Sequence, residues 1–458
     1  MNEINIYWID LFCGAGGTTT GIHLSEYNHK VIACVNHDAE AIRCHKENHP
    51  ECIHFTEDIR NFNVVLKIKS IVKKLKQEDP SCFINIWASL ECTHFSKAKG
   101  GLSRDADSRT LADHLYKYVE QLDPDYVYIE NVKEFLTWCP LDNKGKPIKN
   151  LYGTDYNRWK DNIKFYGYDY NYKLLNSADF GAYTSRERYF GVFAKIGLPI
   201  TFPKPTHSKK PDKDLKPWKA VKDVLNLEDQ GRSIFGLTKM NKPYSENTLK
   251  RVYLGLLKFK DEINQSFLTS YYGNGNAHSI DKPCGTLTTK DRYALHFINY
   301  DYSSPTHTSV NTVAGSITTI PKHKLTSVQW TFDTQFSNTG RSIESPAQTL
   351  IARMDKKPIY LVSTNTSSLN HKEIKTTDSD IVVKIKTFMI QHGISDIKMR
   401  MLHVSELKTI QGFPSGFKLT GTKTNQLKFI GNSVVPDMAK ALVNANYQSL
   451  IKLNSQAV

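Results

Sequence analysis

At 458 residues the chain is long enough for two or three domains and a large buried core. Hydrophobic residues at 40% and aromatics at 11% argue against a disordered chain, and a formal charge of +14 favours polyanionic partners, nucleic acid first. A basic protein without such a partner is the bland alternative. The eight cysteines (Cys13, Cys34, Cys44, Cys52, Cys82, Cys92, Cys139, Cys284) are scattered with no CxxC pair. That argues against a zinc ribbon and a dense disulfide framework, and the sequence assigns no metal ligands. No basic N-terminal region precedes a long apolar one, and no apolar stretch approaches membrane-spanning length. The expectation is a cytoplasmic, reduced protein with available thiols and no membrane partner.

In chain order, residues 4–12 read as a strand, Cys13-Gly14-Ala15-Gly16-Gly17 as a tight glycine turn, and Thr18 to Ser25 as the start of a helix. Such a turn lets the backbone approach a ligand at a helix N-terminus, but a plain structural turn explains it almost as well. Val31 to Val35 is a second strand, followed by Asn36-His37-Asp38 and a helix from about Ala39 to Asn48. A polar residue at the end of the second strand is where ribose hydroxyls are met in a doubly wound sheet. Asp58-Ile59 ends a third short strand and suits an adenine amino group. Three such edges in a row favour a nucleotide-like cofactor.

Phe83 to Trp87 reads as a buried strand, and the loop that leaves it, Ser89-Leu90-Glu91-Cys92, carries a candidate nucleophile. Lys97 to Arg104 is a basic, glycine-containing stretch that suits a phosphate backbone or a solvated loop. A helix over about Ser108 to Gln121 leads to the strand Tyr126 to Ile129, which ends at Glu130-Asn131-Val132. Further strands, Tyr170 to Leu175 and Tyr189 to Ala194, flank Thr184-Ser185-Arg186-Glu187-Arg188. From about Ser208 to Lys398 the composition turns to Lys, Thr, Ser and Asn with short strand-like pieces. Ser279 to Thr289, Ser309 to Thr319 and, more weakly, Ser342 to Leu350 repeat at about 30 residues, which suggests stacked β units or coincidence in a Ser/Thr-rich region. Lys290, Arg292, Lys322, Lys324, Arg353 and Lys356 follow the repeats and suit phosphate contacts. Arg400 to Pro414 reads as a helix and an aromatic turn, and Gly431 to Pro436 as a turn opening a last helix from about Asp437 to Leu450.

A glycine cradle, a thiol, a carboxylic acid and an Arg-x-Arg pair thus fall on one edge of a mostly parallel sheet. One reaction uses all four. The Cys92 thiolate adds to C6 of cytosine while Glu130 hydrogen-bonds N3 and the amino group, so that C5 becomes nucleophilic towards a sulfonium methyl donor. Arg186 and Arg188 lower the thiol pKa and grip the target nucleotide; Glu91 opposes them, because a nearby carboxylate disfavours a thiolate. A base inside a duplex is out of reach, so the target is flipped out.

These residues resemble the cytosine-5 DNA methyltransferases over roughly the first 207 and the last 60 residues. Asp10 to Gly17 looks like the family's S-adenosylmethionine signature; Cys92, Glu130-Asn131-Val132 and Arg186-Glu187-Arg188 match its catalytic motifs. Gly431-Asn432-Ser433-Val434 matches its closing cofactor motif and Phe413-Pro414 the motif before it. The resemblance implies a Rossmann-like methyltransferase domain (1–207), a separate, mainly β target recognition domain (208–398), and a return to the catalytic domain (399–458). It implies S-adenosyl-L-methionine as cofactor, held by Phe12, Gly14, Gly16, Asp38, Asp58, Asn432 and Ser433. Double-stranded DNA is the implied substrate, a cognate restriction endonuclease a candidate partner, and a monomer the expected state. Glu91 stands where the family usually has proline, and Thr184 where it usually has glutamine. A catalytically silent DNA-binding protein and an RNA cytosine-5 methyltransferase of the same fold are the alternatives.

Overall fold

A computed structural model describes residues 4–90, 111–238, 240–258, 267–269, 277–279, 293–300, 323–333, 340–352, 354, 358–365, 373–392, 394 and 396–456. The chain divides into two compact units, Met1–Trp218 with Gln411–Val458, and Lys219–Ile410.

The first unit is built on strands β1 (Ile6–Leu11), β2 (His29–Asn36), β3 (Ile53–Thr56), β4 (Phe83–Ser89), β5 (Tyr126–Asn131), β6 (Tyr168–Asn176) and β7 (Glu187–Lys195). Their order is β3-β2-β1-β4-β5-β7-β6. The first five run parallel, and β7 enters antiparallel between β5 and β6. Strands β1, β4 and β5 are buried on both faces, which is why they read as continuous apolar runs rather than alternating ones. Helices α1 (Gly17–His23), α2 (Ala39–Asn48) and α3 (Phe62–Glu78) connect the first four strands. Asp38 caps α2 by accepting from the backbone N–H of Glu40 and Ala41, which sets the start of that helix.

One face of the sheet packs Ile9, Leu11, Ile84, Ile86, Val127 and Ile129 against α3 and the helix Leu115–Leu122. The other face holds Trp8, Trp87 and Tyr128 beneath the C-terminal helix Pro436–Gln456, whose Met438, Leu442 and Tyr447 share that cluster. Gly17 and Gly21 let α1 lie directly on this C-terminal segment. A Cβ at Gly17 would sit 1.8 Å from Ser433 Oγ, and one at Gly21 would sit 2.4 Å from the Pro436 carbonyl oxygen. The stretch 206–218 stays with this unit because Trp218 Nε1 donates to Asp179 Oδ1 (2.8 Å) and Lys216 N to the Thr206 carbonyl (3.0 Å).

Beneath the C-terminal helix, Trp8 Nε1 donates to His29 Nδ1 at 3.0 Å, and Tyr447 packs edge-on against the same imidazole. Burial lowers the His29 pKa to about 4. The neutral ring is favoured in the fold, while the unfolded chain takes up a proton near the ordinary value of 6.5. The His29 contribution is therefore complete above pH ~6.5 and is lost as pH falls towards 4, on the order of 3 kcal/mol in all. Urea melts of the wild type across that window should lose stability steeply, and His29→Asn should flatten the slope. Equal slopes in the two proteins would remove His29 from the account.

The second unit contains an antiparallel sheet in which the strands Arg232–Ser233, Asp396–Met401, Ile359–Asn365, His323–Asp333 and Tyr293–Tyr300 lie side by side, with Arg341–Ser342 paired to His323–Asp333. A separate hairpin joins Phe267–Thr269 to Ala277–Ser279. The unit is mainly β, as expected. Helices Glu246–Lys258 and Asp380–Gln391 also contribute to its core. Val252, Leu256, Ile385 and Phe388 pack there with Trp330, Phe332, Val362 and Ile397.

Three expectations are corrected. Gly431 and Asn432 do not form a turn; they are the last residues of a helix, Lys423–Asn432, capped by Thr422 accepting from Asn425 N. The final helix begins at Pro436, where a residue without an N–H donor costs nothing. Arg400 lies within the strand Asp396–Met401, and the helix after it is Val404–Ile410. Leu111–His114 is a 3-10 turn ahead of the helix Leu115–Leu122, whereas positions 108–110 lie outside the described residues.

Candidate active site

The carboxyl ends of β1, β2, β3, β4 and β5 share one edge of the sheet, and strand order reverses between β1 and β4. Ligands in such sheets bind at that switch point. The register fixes which residues meet there. Leu11 is level with Ala88 on β4, and Ser89 is level with Glu130 on β5. Phe12 and the glycine turn therefore leave the sheet beside the stretch that runs on to Leu90. Glu91, Cys92 and the basic stretch Lys97 to Arg104 lie outside the described residues. So do the first two repeats beyond Ser279, and Lys290, Arg292, Lys322, Arg353 and Lys356; the side chain of Lys324 does as well.

The approach to the cysteine is held from β5. Asn131 Nδ2 donates to the Leu90 carbonyl oxygen (3.4 Å), and its own Oδ1 accepts from Val132 N (2.8 Å). Trp87 Nε1 donates to Ser89 Oγ at 3.1 Å. Next to Asn131, Glu130 is 7% exposed and faces Arg188, whose Nε lies 3.4 Å from Glu130 Oε1. Burial pushes the Glu130 carboxyl up from its ordinary value, and the positive charges of Arg188 and Arg186 oppose that without cancelling it. A carboxylic acid kept protonatable at a sheet edge can donate a hydrogen bond to a ring nitrogen.

The two arginines come from the turn before β7 and the start of that strand, and they take different partners. Arg188 reaches Glu130, while Arg186 is 4% exposed and donates from Nη1 to the Gly431 carbonyl oxygen (3.2 Å). Arg186 is also fixed by its backbone, because its carbonyl accepts from Ser177 N (3.0 Å) and Ser177 Oγ (3.2 Å). The guanidinium thus links the Arg-x-Arg turn to the segment that contains Asn432 and Ser433.

At the glycine turn, Phe12 has φ 60°, which a bulky residue adopts only at a cost. Gly14 follows at φ 54°, and a Cβ built there would meet nothing within 4 Å. The turn therefore has an open side at Gly14 and a packed side at Gly17, where Ser433 lies. Gln411 Nε2 donates to the Ser433 carbonyl (2.8 Å) and holds that side in place.

The two acidic candidates are already engaged. Asp38 Oδ1 accepts from Glu40 N (3.0 Å) and Ala41 N (3.3 Å), and Oδ2 accepts from Lys428 Nζ (2.7 Å). Burial alone would raise the Asp38 pKa, but Lys428 and the two N–H groups outweigh it and hold it low. Asp58 accepts from two nitrogens of Arg60, Nε at 3.0 Å and Nη2 at 2.7 Å, and this pairing lowers its pKa. The sequence reading did not include Lys428 or Arg60. The spacing Asp58-x-Arg60 was a readable signal; Lys428 was not, since it stands 390 positions from Asp38.

A seven-stranded sheet of this order, with an antiparallel β7 and a separate mostly-β unit, is the Rossmann-like methyltransferase fold. A family model described as "C-5 cytosine-specific DNA methylase" matches residues 6–448, and the chain belongs to that family. It is 27% identical over 226 residues to the Type II methyltransferase M.AquIA of Picosynechococcus sp., covering 48% of this chain and 87% of that protein. It is 26% identical over 289 residues to M.BsuRI of Bacillus subtilis, covering 58% of each. Among solved structures it resembles a Spodoptera frugiperda DNMT2 mutant (TM-score 0.50, 15% identity, 97% of this chain and 100% of that one), which speaks to the fold alone.

Proposed function

We propose that the chain is a DNA (cytosine-5-)-methyltransferase that methylates C5 of a cytosine flipped out of duplex DNA through a covalent bond between Cys92 and C6. The observation that carries this reading is the pair of buried Glu130 and half-buried Arg188, with Glu130 level with Ser89 and so with the strand end that leads to Cys92. The Cys92 sulfur forms a bond to C6 and pushes the ring electrons towards C5 and N3. Glu130 supplies the proton at N3 and accepts from the exocyclic amino group, which stabilises the charge that develops in the ring. Once C5 carries the new methyl group, its proton passes to solvent, Glu130 takes back the proton from N3, and the restored C5–C6 double bond expels the sulfur. Arg188 keeps Glu130 oriented, and Arg186 ties the catalytic edge to the end of the helix before Ser433.

The residues around the glycine turn fit S-adenosyl-L-methionine. When bound, that cofactor supplies an electrophilic methyl group on its sulfonium. The open side of the turn at Gly14 offers backbone without a side chain in the way. In this reading Phe12 flanks the adenine, Gly14 and Gly16 form the cradle, and Asn432 and Ser433 close it. Asp38 and Asp58 retain acceptor capacity beyond their present partners, because each carboxylate offers about four lone-pair sites. The Lys219–Ile410 unit serves as the target recognition domain. A companion endonuclease of the same specificity is the partner that a Type II role implies.

Labelled S-adenosylmethionine offered with duplex DNA of varied sequence, and in parallel with tRNA, tests the reading. Label on C5 of cytosine in DNA is the expected result. Label in tRNA alone would transfer the activity to RNA. A protein that retains duplex DNA but forms no covalent adduct with 5-fluorocytosine DNA would be a binding module instead. Sequencing of DNA from an expressing cell would give the methylated context.

A further inference from the structure

Beneath the glycine turn, four side chains of metal-binding type converge from four different elements. Cys13 belongs to the turn, Cys34 to β2, His45 to α2 and His54 to β3. Cys34 Sγ lies 3.8 Å from His45 Nδ1, and His45 Nδ1 lies 3.0 Å from His54 Nε2. One ligand atom each from Cys13, Cys34 and His45 falls within 4.8 Å of the others, and all three residues are buried. Tetrahedral zinc, with bonds of about 2.3 Å to sulfur and about 2.0 Å to nitrogen, separates sulfur from nitrogen by about 3.6 Å and two nitrogens by about 3.3 Å. The Cys34–His45 and His45–His54 separations differ from these by a few tenths of an ångström, and the Cys13 sulfur lies within 4.8 Å of the Cys34 and His45 ligand atoms.

The surroundings orient the cluster as a ligand set. Thr19 Oγ1 donates to Asp10 Oδ2 (2.8 Å), so towards His45 Nε2 (3.0 Å) it can only accept. The imidazole proton is therefore on Nε2, and the Nδ1 lone pair faces Cys34 and His54. A ligating histidine is held in this way by a donor–acceptor chain behind it, here ending on a buried carboxylate. His54 is half-buried on β3, the edge strand of its sheet, which leaves a route in from that side. Cys13 N is bonded to the Val35 carbonyl, and the ring atoms of His45 and His49 lie about 3 Å from where a Gly16 Cβ would be. The cluster is the floor of the turn.

We propose that Cys13, Cys34, His45 and His54 hold a zinc ion that clamps the glycine turn to β2, α2 and β3. Two thiolates and two imidazoles suit zinc among the common divalent ions, and all four positions are filled by protein, as in a structural site. Binding displaces the two thiol protons to solvent, so the ion and its two thiolates form a neutral buried group. The ligands span positions 13 to 54 without any short Cys-x-x-Cys pair, which separates this site from the zinc ribbon that the cysteine spacing argues against.

The test is made on the full chain carrying no histidine tag, purified from zinc-supplemented cells and passed through gel filtration. Mass spectrometry of the metal content should give about one zinc per chain. Cys34→Ser and His54→Ala should each lose at least about nine-tenths of it, while Cys52→Ser, a buried neighbour outside the ligand set, should keep it. Cobalt exchanged into the wild type should give a thiolate charge-transfer band and the visible bands of a tetrahedral ion, a readout that needs no variant to fold. A folded wild type with less than about a tenth of a zinc per chain would overturn the proposal and leave a hydrogen-bonded network, with His54 Nε2 donating to His45 Nδ1. Full zinc in Cys34→Ser and His54→Ala would overturn it too. None of these readouts depends on methyl transfer.

Discussion

Cys92→Ser is expected to bring methyl transfer down to background, a loss of at least about 10³-fold, because a hydroxyl cannot replace a thiolate that must add to C6 and leave again. The exchange removes one polarisable atom, so stability should stay within about 1 kcal/mol of the wild type. Its counterpart is Glu130→Gln, which preserves shape and burial but cannot pass a proton to N3. Losing that stabilisation of ring charge should lower the turnover rate about 10²–10³-fold with DNA affinity little changed. The two variants should part company on 5-fluorocytosine DNA, where Cys92→Ser gives no adduct and Glu130→Gln gives one slowly. A wild-type rate in Glu130→Gln would remove the acid from the mechanism, and adduct formation by Cys92→Ser would move the nucleophile to another residue.

Arg400→Leu is expected to destabilise the second unit by about 3–5 kcal/mol, since it strands a buried carboxylate. Arg400 makes a bidentate pair with Glu406, Nη1 to Oε2 at 2.9 Å and Nη2 to Oε1 at 2.8 Å, and both residues are buried. The same guanidinium donates to the carbonyls of Asn226 and Asp229, and Glu406 accepts from the N–H groups of Asn226 and His403. One ion pair thereby joins the strand Asp396–Met401, the following helix and the segment around Asn226. Burial alone would push the Glu406 carboxyl up, but Arg400 and those two N–H groups outweigh it and hold it below its ordinary value. A depressed carboxylate stabilises the fold above its unfolded-state pKa and stops doing so as pH falls through the lower, folded value. The destabilisation in Arg400→Leu should therefore be largest near neutrality and shrink in acid. Hydrogen exchange would localise it to the amides of Ile359–Asn365 and Asp396–Met401. Unchanged protection of those strands would show that the pair is dispensable.

Much of the first unit was legible in the sequence for a physical reason. Buried parallel strands leave continuous apolar runs, and the polar residues that end them, such as Asp38 and Asn131, cap helices or tether loops. The bounds of α2 follow directly from the Asp38 cap. The helix Lys423–Asn432 escaped because it shows only a narrow apolar face, Leu427, Phe429 and Ile430, and because Gly431-Asn432 imitates a turn. The helix Glu246–Lys258 was readable in principle, with Leu249, Val252 and Leu256 at helical spacing, but the surrounding Lys and Ser/Thr bias obscured it. At the candidate site, residue types were visible while their pairings were not. Nothing in the order of residues says that Arg188 meets Glu130 and Arg186 meets Gly431; that follows from β7 inserting antiparallel beside β5. The Cys13, Cys34, His45 and His54 cluster is likewise a product of parallel register.

The placement of Ser433 and Pro436 against α1 has a consequence for the newborn protein. A ribosome releases the glycine turn early, but the segment that covers it is made only after the whole of Lys219–Ile410. At a synthesis rate of ~5–20 residues per second the gap lasts roughly 20–80 s. During that interval Gly17, Gly21 and the apolar floor under Trp8 stand open to solvent, and a chain stalled before residue 411 would keep them so. Synthesis of that segment then acts as a licence: the first strand of the sheet reaches its final state only after the residues around Ser433 and Pro436 have been made.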